Sequence, residues 1–206
     1  MPRIAAPTVA EHHANQRRAV LDAARDLLGE TAQLPSMAAI GKRAGLARTS
    51  VYQYFGSAEE LLAAVVADVF PDWAARVLDR VEAADSPAAR VWAYVEANVD
   101  LFTSSEQQVA RALTMLVAPD VLRRPMEAFH ARIRGPLRDA LADFGDPDPD
   151  TVATLVDTLI VTAARHAVDS DTATDDADGA ATRRVALDGL RRLIGPYLER
   201  GPANAG

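Results

Sequence analysis

Six residues in one short run, Arg48, Thr49, Ser50, Tyr52, Gln53 and Tyr54, carry hydrogen-bonding groups with no carboxylate among them. A guanidinium matches the paired acceptors of guanine, a carboxamide matches the donor and acceptor of adenine, and hydroxyls reach phosphate oxygens. The set therefore suits the base edges and backbone of a nucleic-acid duplex. Arg48 on a guanine or Gln53 on an adenine would each discriminate by about 1 to 3 kcal/mol, while Arg48 could equally hold a phosphate. Such readout needs the side chains on one firm face, and the spacing supplies it. Val51 and Phe55 lie four apart and turn inward together, which leaves Thr49, Ser50 and Gln53 outward with Tyr52 and Tyr54 on the flanks.

The elements that must position this face are legible on either side of it. Met37, Ile40 and Ala44 form an apolar stripe at helical spacing, Ser36 is a suitable N-cap, and Gly45 falls where that helix must stop. A tight turn over 44–47 then joins it to the helix bearing Arg48, whose N-terminal end is where a helix-turn-helix brings side chains to bases. Ser57 caps a third helix from Ala58, with Glu59 and Glu60 favourably placed in its first turn.

The string I-x-x-x-A-G-L-x-x-x-S-V-Y-x-Y-F-x-S-x-E-E-L-L, over 40–62, resembles the DNA-binding signature of the tetracycline-repressor (TetR) family of bacterial transcription regulators. The resemblance implies a three-helix head followed by a variable all-helical body. It makes Arg48, Thr49, Ser50 and Gln53 the candidates for base edges, puts the Tyr52 and Tyr54 hydroxyls on phosphates, and turns the helix N-terminus at Ser36 toward another. Arg17 and Arg18, at the start of the first helix, either reach phosphate or stay solvated. Two positions depart from the family pattern. Ala58 stands where a lysine often meets the backbone, and Ala38 is apolar on a helix that often adds a polar contact. Both imply moderate affinity with a marked salt dependence.

The same resemblance implies a homodimer joined through a four-helix bundle from about 151–168 and 181–198 of each subunit. Its recognition helices would enter successive major grooves about 34 to 36 Å apart, or a multiple of that. It also implies a small-molecule effector, not named by the sequence, that binds among the body helices and reorients the heads, with repression by occlusion as the default. Trp92, Phe102, Met115, Phe129, His130, Arg165 and His166 are the candidate lining residues. A mainly apolar pocket with one cationic group would suit a hydrophobic or anionic compound. An all-helical small-molecule carrier or enzyme that does not bind DNA is the alternative. No Gly-rich phosphate loop, G-x-S-x-G elbow, H-E-x-x-H or cysteine nucleophile supports an enzyme, and no cofactor is implied.

The bulk properties agree with a globular protein that meets nucleic acid through a local face. Its 206 residues are 49% hydrophobic, enough to bury roughly 70% of the unfolded surface. The net charge is −7, so a generally basic surface is excluded. The acidity is uneven: residues 1–62 hold seven Lys/Arg against six Asp/Glu, and the remainder fifteen against twenty-three. The absence of cysteine excludes disulfides and thiolate metal sites. No apolar run approaches about 18 residues, so no membrane span is expected and a cytoplasmic location fits.

Along the chain, residues 1–14 read as a mobile tail, in which the adjacent His12 and His13 diverge too far to share a metal. The first helix is expected over 15–28 with Gly29 at its end. A long amphipathic segment over 61–83 is interrupted by Pro71, where it must kink or break. Ser86-Pro87 opens a helix as N-cap and first residue, another starts near 104–105, and the next is expected from Pro125 with a disturbance at Gly135-Pro136. GDPDPD over 145–150 is a turn and cap. The acidic run over 169–179 is expected to be exposed or disordered, and it fails as an EF-hand because Ala180 cannot supply the twelfth-position carboxylate. The result is an all-α protein of eight or nine helices, with a helix-turn-helix head over 1–56, a ligand-binding and dimerisation body over 57–200 that shares a helix with it, and a tail over 201–206.

Overall fold

The structure, a computed structural model, describes residues 9–103, 105–171 and 179–201. The first eight residues, most of the acidic run and the tail after Gly201 lie outside them. Among the described residues there are nine α-helices and no strand, as the apolar periodicities predict: α1 (Val9–Thr31), α2 (Met37–Ala44), α3 (Arg48–Val51), α4 (Ala58–Glu82), α5 (Pro87–Thr103), α6 (Ser105–Leu116), α7 (Pro119–Phe144), α8 (Pro149–Asp171) and α9 (Gly179–Arg200). They form two compact units. One comprises the chain up to Val69 with Gln108–Arg123, and the other Phe70–Gln107 with the chain from Arg124 onward.

In the first unit, α1 packs on α2 and α2 on α3. Val20, Ala24 and Leu28 of α1, Ile40 of α2, and Val51 and Phe55 beyond it are all essentially without solvent contact. Burying each of the larger side chains contributes about 1.5 to 3 kcal/mol, which is what holds helices this short in place. Helix α1 is longer at both ends than its apolar stripe indicates. It begins at Val9, and the ring of His13, expected in a mobile tail, meets that of Tyr54 at 4.8 Å in a tilted arrangement, a tertiary contact that local periodicity cannot reveal. It also runs through Gly29 to Thr31, where the Thr31 hydroxyl donates to the Leu27 carbonyl at 2.9 Å. The chain leaves the helix at Ala32, whose φ of 51° takes the left-handed conformation a glycine usually fills.

The second unit is arranged about α5, which packs on both α8 and α9. Val91, Tyr94, Val95 and Val99 of α5 are fully buried. Ser86 caps α5 by accepting from the Ala89 amide at 3.2 Å, as its sequence predicts. A buried tyrosine hydroxyl needs a partner, and Tyr94 donates to Asp157 of α8 at 2.7 Å. Burial, reinforced by that carboxylate, pushes the Tyr94 phenol well above its ordinary pKa.

The prolines do not break their helices. Pro71 lies within α4 on its exposed side, so its missing donor faces water, while Phe70 and Trp73 on the buried side hold the turn together. Their rings meet edge-on at 5.4 Å, and the Trp73 indole donates to Glu106 at 2.7 Å. Helix α7 starts at Pro119 and not near Pro125, because Pro119 fits the first helical position and the Ala118 carbonyl accepts from both Val121 and Leu122. It then continues through Pro125 and Pro136. Helices α8 and α9 likewise extend to Pro149–Asp171 and Gly179–Arg200, the former capped by Asp148 accepting from the Thr151 amide.

Candidate nucleic-acid interface

The first unit presents its chemistry on α2, the turn after it and α3. Ser36 has extended backbone geometry and accepts from the Ala39 amide at 3.1 Å, so it satisfies one of the orphan donors that open α2. Gly45 ends α2 at φ 71°, and the Leu46 amide returns to the Gly41 carbonyl at 2.7 Å. The chain thus reverses within a few residues and delivers Arg48 to the start of the next helix. A residue that sequence reasoning passed over makes this reversal possible. A β-carbon on Gly41 would stand 2.8 Å from the Leu46 carbonyl oxygen and 3.1 Å from Val51 Cγ2. Its signal was available as a glycine inside an eight-residue helix, where it costs about 1 kcal/mol against alanine and so needs a packing reason.

Helix α3 is shorter than the periodicity of Val51 and Phe55 suggests. Regular helix ends at Val51, and residues 52–54 continue it as tightened turns in which Gln53 donates to the Ser50 carbonyl at 3.1 Å and Tyr54 to that of Val51 at 3.0 Å. Ala47 offers no side-chain cap, and β-branched Thr49 and Val51 favour helix weakly, so a single regular turn forms. Val51 and Phe55 still point inward. Arg48, Thr49, Tyr52 and Gln53 are exposed, Ser50 and Tyr54 are half-buried, and Ser36 and Arg17 are exposed on neighbouring elements.

Several of these side chains are held in place by rings. Arg48 lies over Tyr52 with its guanidinium 6.0 Å from the ring centre, and Arg17 lies over Phe55 at 4.9 Å. Neither pairing uses a carboxylate. By contrast, Arg18 is bound to Asp22 and Asp68, and Arg43 to Glu30 and Asp26. The Arg43 hydrogen bond holds the Glu30 carboxyl below its ordinary pKa. Lys42, exposed on α2 and absent from the sequence-derived set, makes no ion pair among the described residues. It lies one turn from Ala38, the position whose apolar side chain lowered the expected phosphate anchoring.

The second unit contains a partly open cavity of about 600 Å³ bounded by α4, α5 and α9. None of Trp92, Phe102, Met115, Phe129, His130, Arg165 and His166 lines it. Trp92 donates to Glu96 at 2.9 Å and lies under Arg191. Phe129 is buried against Phe70 with His130 beside it, Phe102 is half-buried, and Met115 is 70% exposed, as Arg165 and His166 are exposed. The charged residues that do line the cavity include Arg76, Arg80 and Arg183. The first two, four apart on one helix, carried a signal; Arg183 comes from a helix more than a hundred residues away.

Two short helices joined by a glycine-ended turn, with an exposed face free of carboxylates and with Arg17, Lys42 and Arg48 outside ion pairs among the described residues, make up a helix-turn-helix head with the surface chemistry that suits DNA. Residues 20–65 match the family described as bacterial regulatory proteins, tetR family. That match covers the helix-turn-helix segment and parts of the helices on either side of it. Among solved structures it is similar to a transcriptional regulator from Rhodococcus sp. Rha1, at 21% identity over 91% of this chain and 98% of that one, with a TM-score of 0.66. It is similar to AibR in complex with isovaleryl coenzyme A and operator DNA, at 19% identity over 86% and 97% of the two chains and a TM-score of 0.59. It is also similar to FadR from Bacillus subtilis in complex with stearoyl-CoA, at 17% identity over 84% and 96% and a TM-score of 0.57. No curated protein matches it by sequence.

Gly41→Ala should destabilise the first unit even though alanine is the better helix former. Overpacking against a backbone oxygen costs about 1 to 3 kcal/mol, which outweighs the propensity gain of about 1 kcal/mol. A lowered denaturation midpoint is expected; an unchanged or raised one would show that the turn relaxes at no cost.

Proposed function

We propose that this protein is a DNA-binding transcriptional regulator, a homodimeric repressor that lies across an operator and leaves it when a small molecule binds. The observation that carries the reading is the exposed face of Arg48, Thr49, Tyr52 and Gln53, left without a carboxylate while Arg18 and Arg43 close to it are paired. Arg48, Thr49, Ser50 and Gln53 read base edges. Tyr52, Tyr54, Arg17 and Lys42, with the amide end of α2 at Ser36, hold phosphates. No enzymatic step is assigned, and the protein works in the cytoplasm, where its operator lies. Among the described residues no helix is long and apolar enough to cross a membrane.

Repression by occlusion and release by an effector follow the family pattern. Ligand release is supported by the similar fold of AibR, solved with both isovaleryl coenzyme A and operator DNA, and of FadR, solved with stearoyl-CoA. Dimerisation falls on α8 and α9. These carry Leu155 at 56% exposure, Val185 at 50% and Leu193 at 64%, an apolar excess that a monomer would leave in water.

Two measurements test the reading. A fragment from upstream of the protein's own gene should be retarded at low salt, and Arg48→Ala with Tyr52→Ala should abolish the shift while helix content is kept. Lys42→Ala should weaken binding evenly across sequences and lower the salt slope by about 1. Retention of full affinity by the double variant would refute the assigned face. Separately, Leu155→Glu with Leu193→Glu should convert the dimer to a monomer in sedimentation and cost most of the operator affinity; an unchanged dimer would place the two-fold contact elsewhere.

A further inference from the structure

The cavity between α4, α5 and α9 has a wall of unusual composition. Val77, Ala97 and Leu101 give it an apolar side, and Arg80 of α4 and Arg183 of α9 give it a cationic one. These two guanidiniums share a single carboxylate, that of Asp100 on α5: Arg80 binds Oδ2 and Arg183 binds Oδ1. Each uses one nitrogen of a fork that carries five N–H donors, so most of their hydrogen-bonding capacity is not spent on Asp100. Arg76, farther along the wall, is neutralised by Glu106 and Asp72, and Asp79 stands exposed at the rim.

A volume of about 600 Å³ is in the range of small-molecule sites. A cation entering it would find Asp100 already engaged by two arginines. An acid group would find two arginines with donors to spare, and an apolar body would displace water from Val77, Ala97 and Leu101. We propose that this cavity binds a small organic anion whose acid group takes Arg80 and Arg183 over from Asp100. Binding then exchanges the tie between α4, α5 and α9 for contacts through the ligand. Because α4 continues from the DNA-binding unit, the exchange acts on the helix that leads from the reading head. That last step rests on the regulator reading; the binding site itself does not.

The test uses the intact protein and the fluorescent apolar anion 1-anilinonaphthalene-8-sulfonate, with no DNA present. The probe should bind saturably and be displaced at least tenfold more effectively by hexanoate than by hexan-1-ol. Arg80→Gln with Arg183→Gln should weaken probe binding at least tenfold. Asp100→Asn should strengthen it several-fold, because it releases both guanidiniums. Equal displacement by hexan-1-ol, or unchanged affinity in the double arginine variant, would overturn the site. So would a loss of binding in Asp100→Asn as large as in the double variant, since the cluster would then be a structural clamp only. Failure of the wild-type protein to bind any operator would count against the regulator reading and leave this result intact.

Discussion

The close approach of α2 to the backbone of the turn that follows it is the constraint on which the rest of the reading head depends. A β-carbon on Gly41 would stand 2.8 Å from the Leu46 carbonyl oxygen, too close for any side chain to begin there unless something shifts. With that contact made, the Leu46 amide closes back on Gly41, Gly45 supplies the left-handed residue, and Val51 can pack into the angle between the helices. A four-residue helix has no stability of its own. Its orientation comes from Val51 and Phe55 being locked into the first unit, and the outward face is what remains on the other side.

Electrostatics then decides what that face can meet. The whole chain is acidic, yet acidic side chains near the head are spent on particular cations: Asp22 and Asp68 on Arg18, Asp26 and Glu30 on Arg43. Arg48 and Arg17 rest on aromatic rings, which orient a guanidinium without neutralising it. A negative total charge and a DNA-binding surface are compatible because the field a duplex meets is local, screened within about 8 to 10 Å at physiological salt.

Much of this was legible in the sequence, and the reasons are physical. Ser36, Gly45 and the inward pair Val51 and Phe55 are local signals, each tied to a cap, a left-handed turn or a helical period, and the structure has them in those roles. The ends of α1 were not legible, because the contact of His13 with Tyr54 joins residues far apart in the chain. The start of α7 was misplaced for a related reason: Pro125 reads locally as a first helical position, and whether a helix continues through a proline is decided by packing that is not local. The cavity was the least accessible feature. Lining residues from α4, α5 and α9 are brought together only by folding, and selecting aromatic and cationic residues by type picked none of them.

The central claim is that paired copies of one short exposed face read a duplex in two adjacent major grooves. Selection of bound sequences from random double-stranded DNA by the intact protein tests it most directly. The account predicts enrichment of an inverted repeat whose half-site centres lie about 34 to 36 Å apart, or a multiple of that. Recovery of no preferred sequence, or of a single asymmetric site with no repeat, would contradict it.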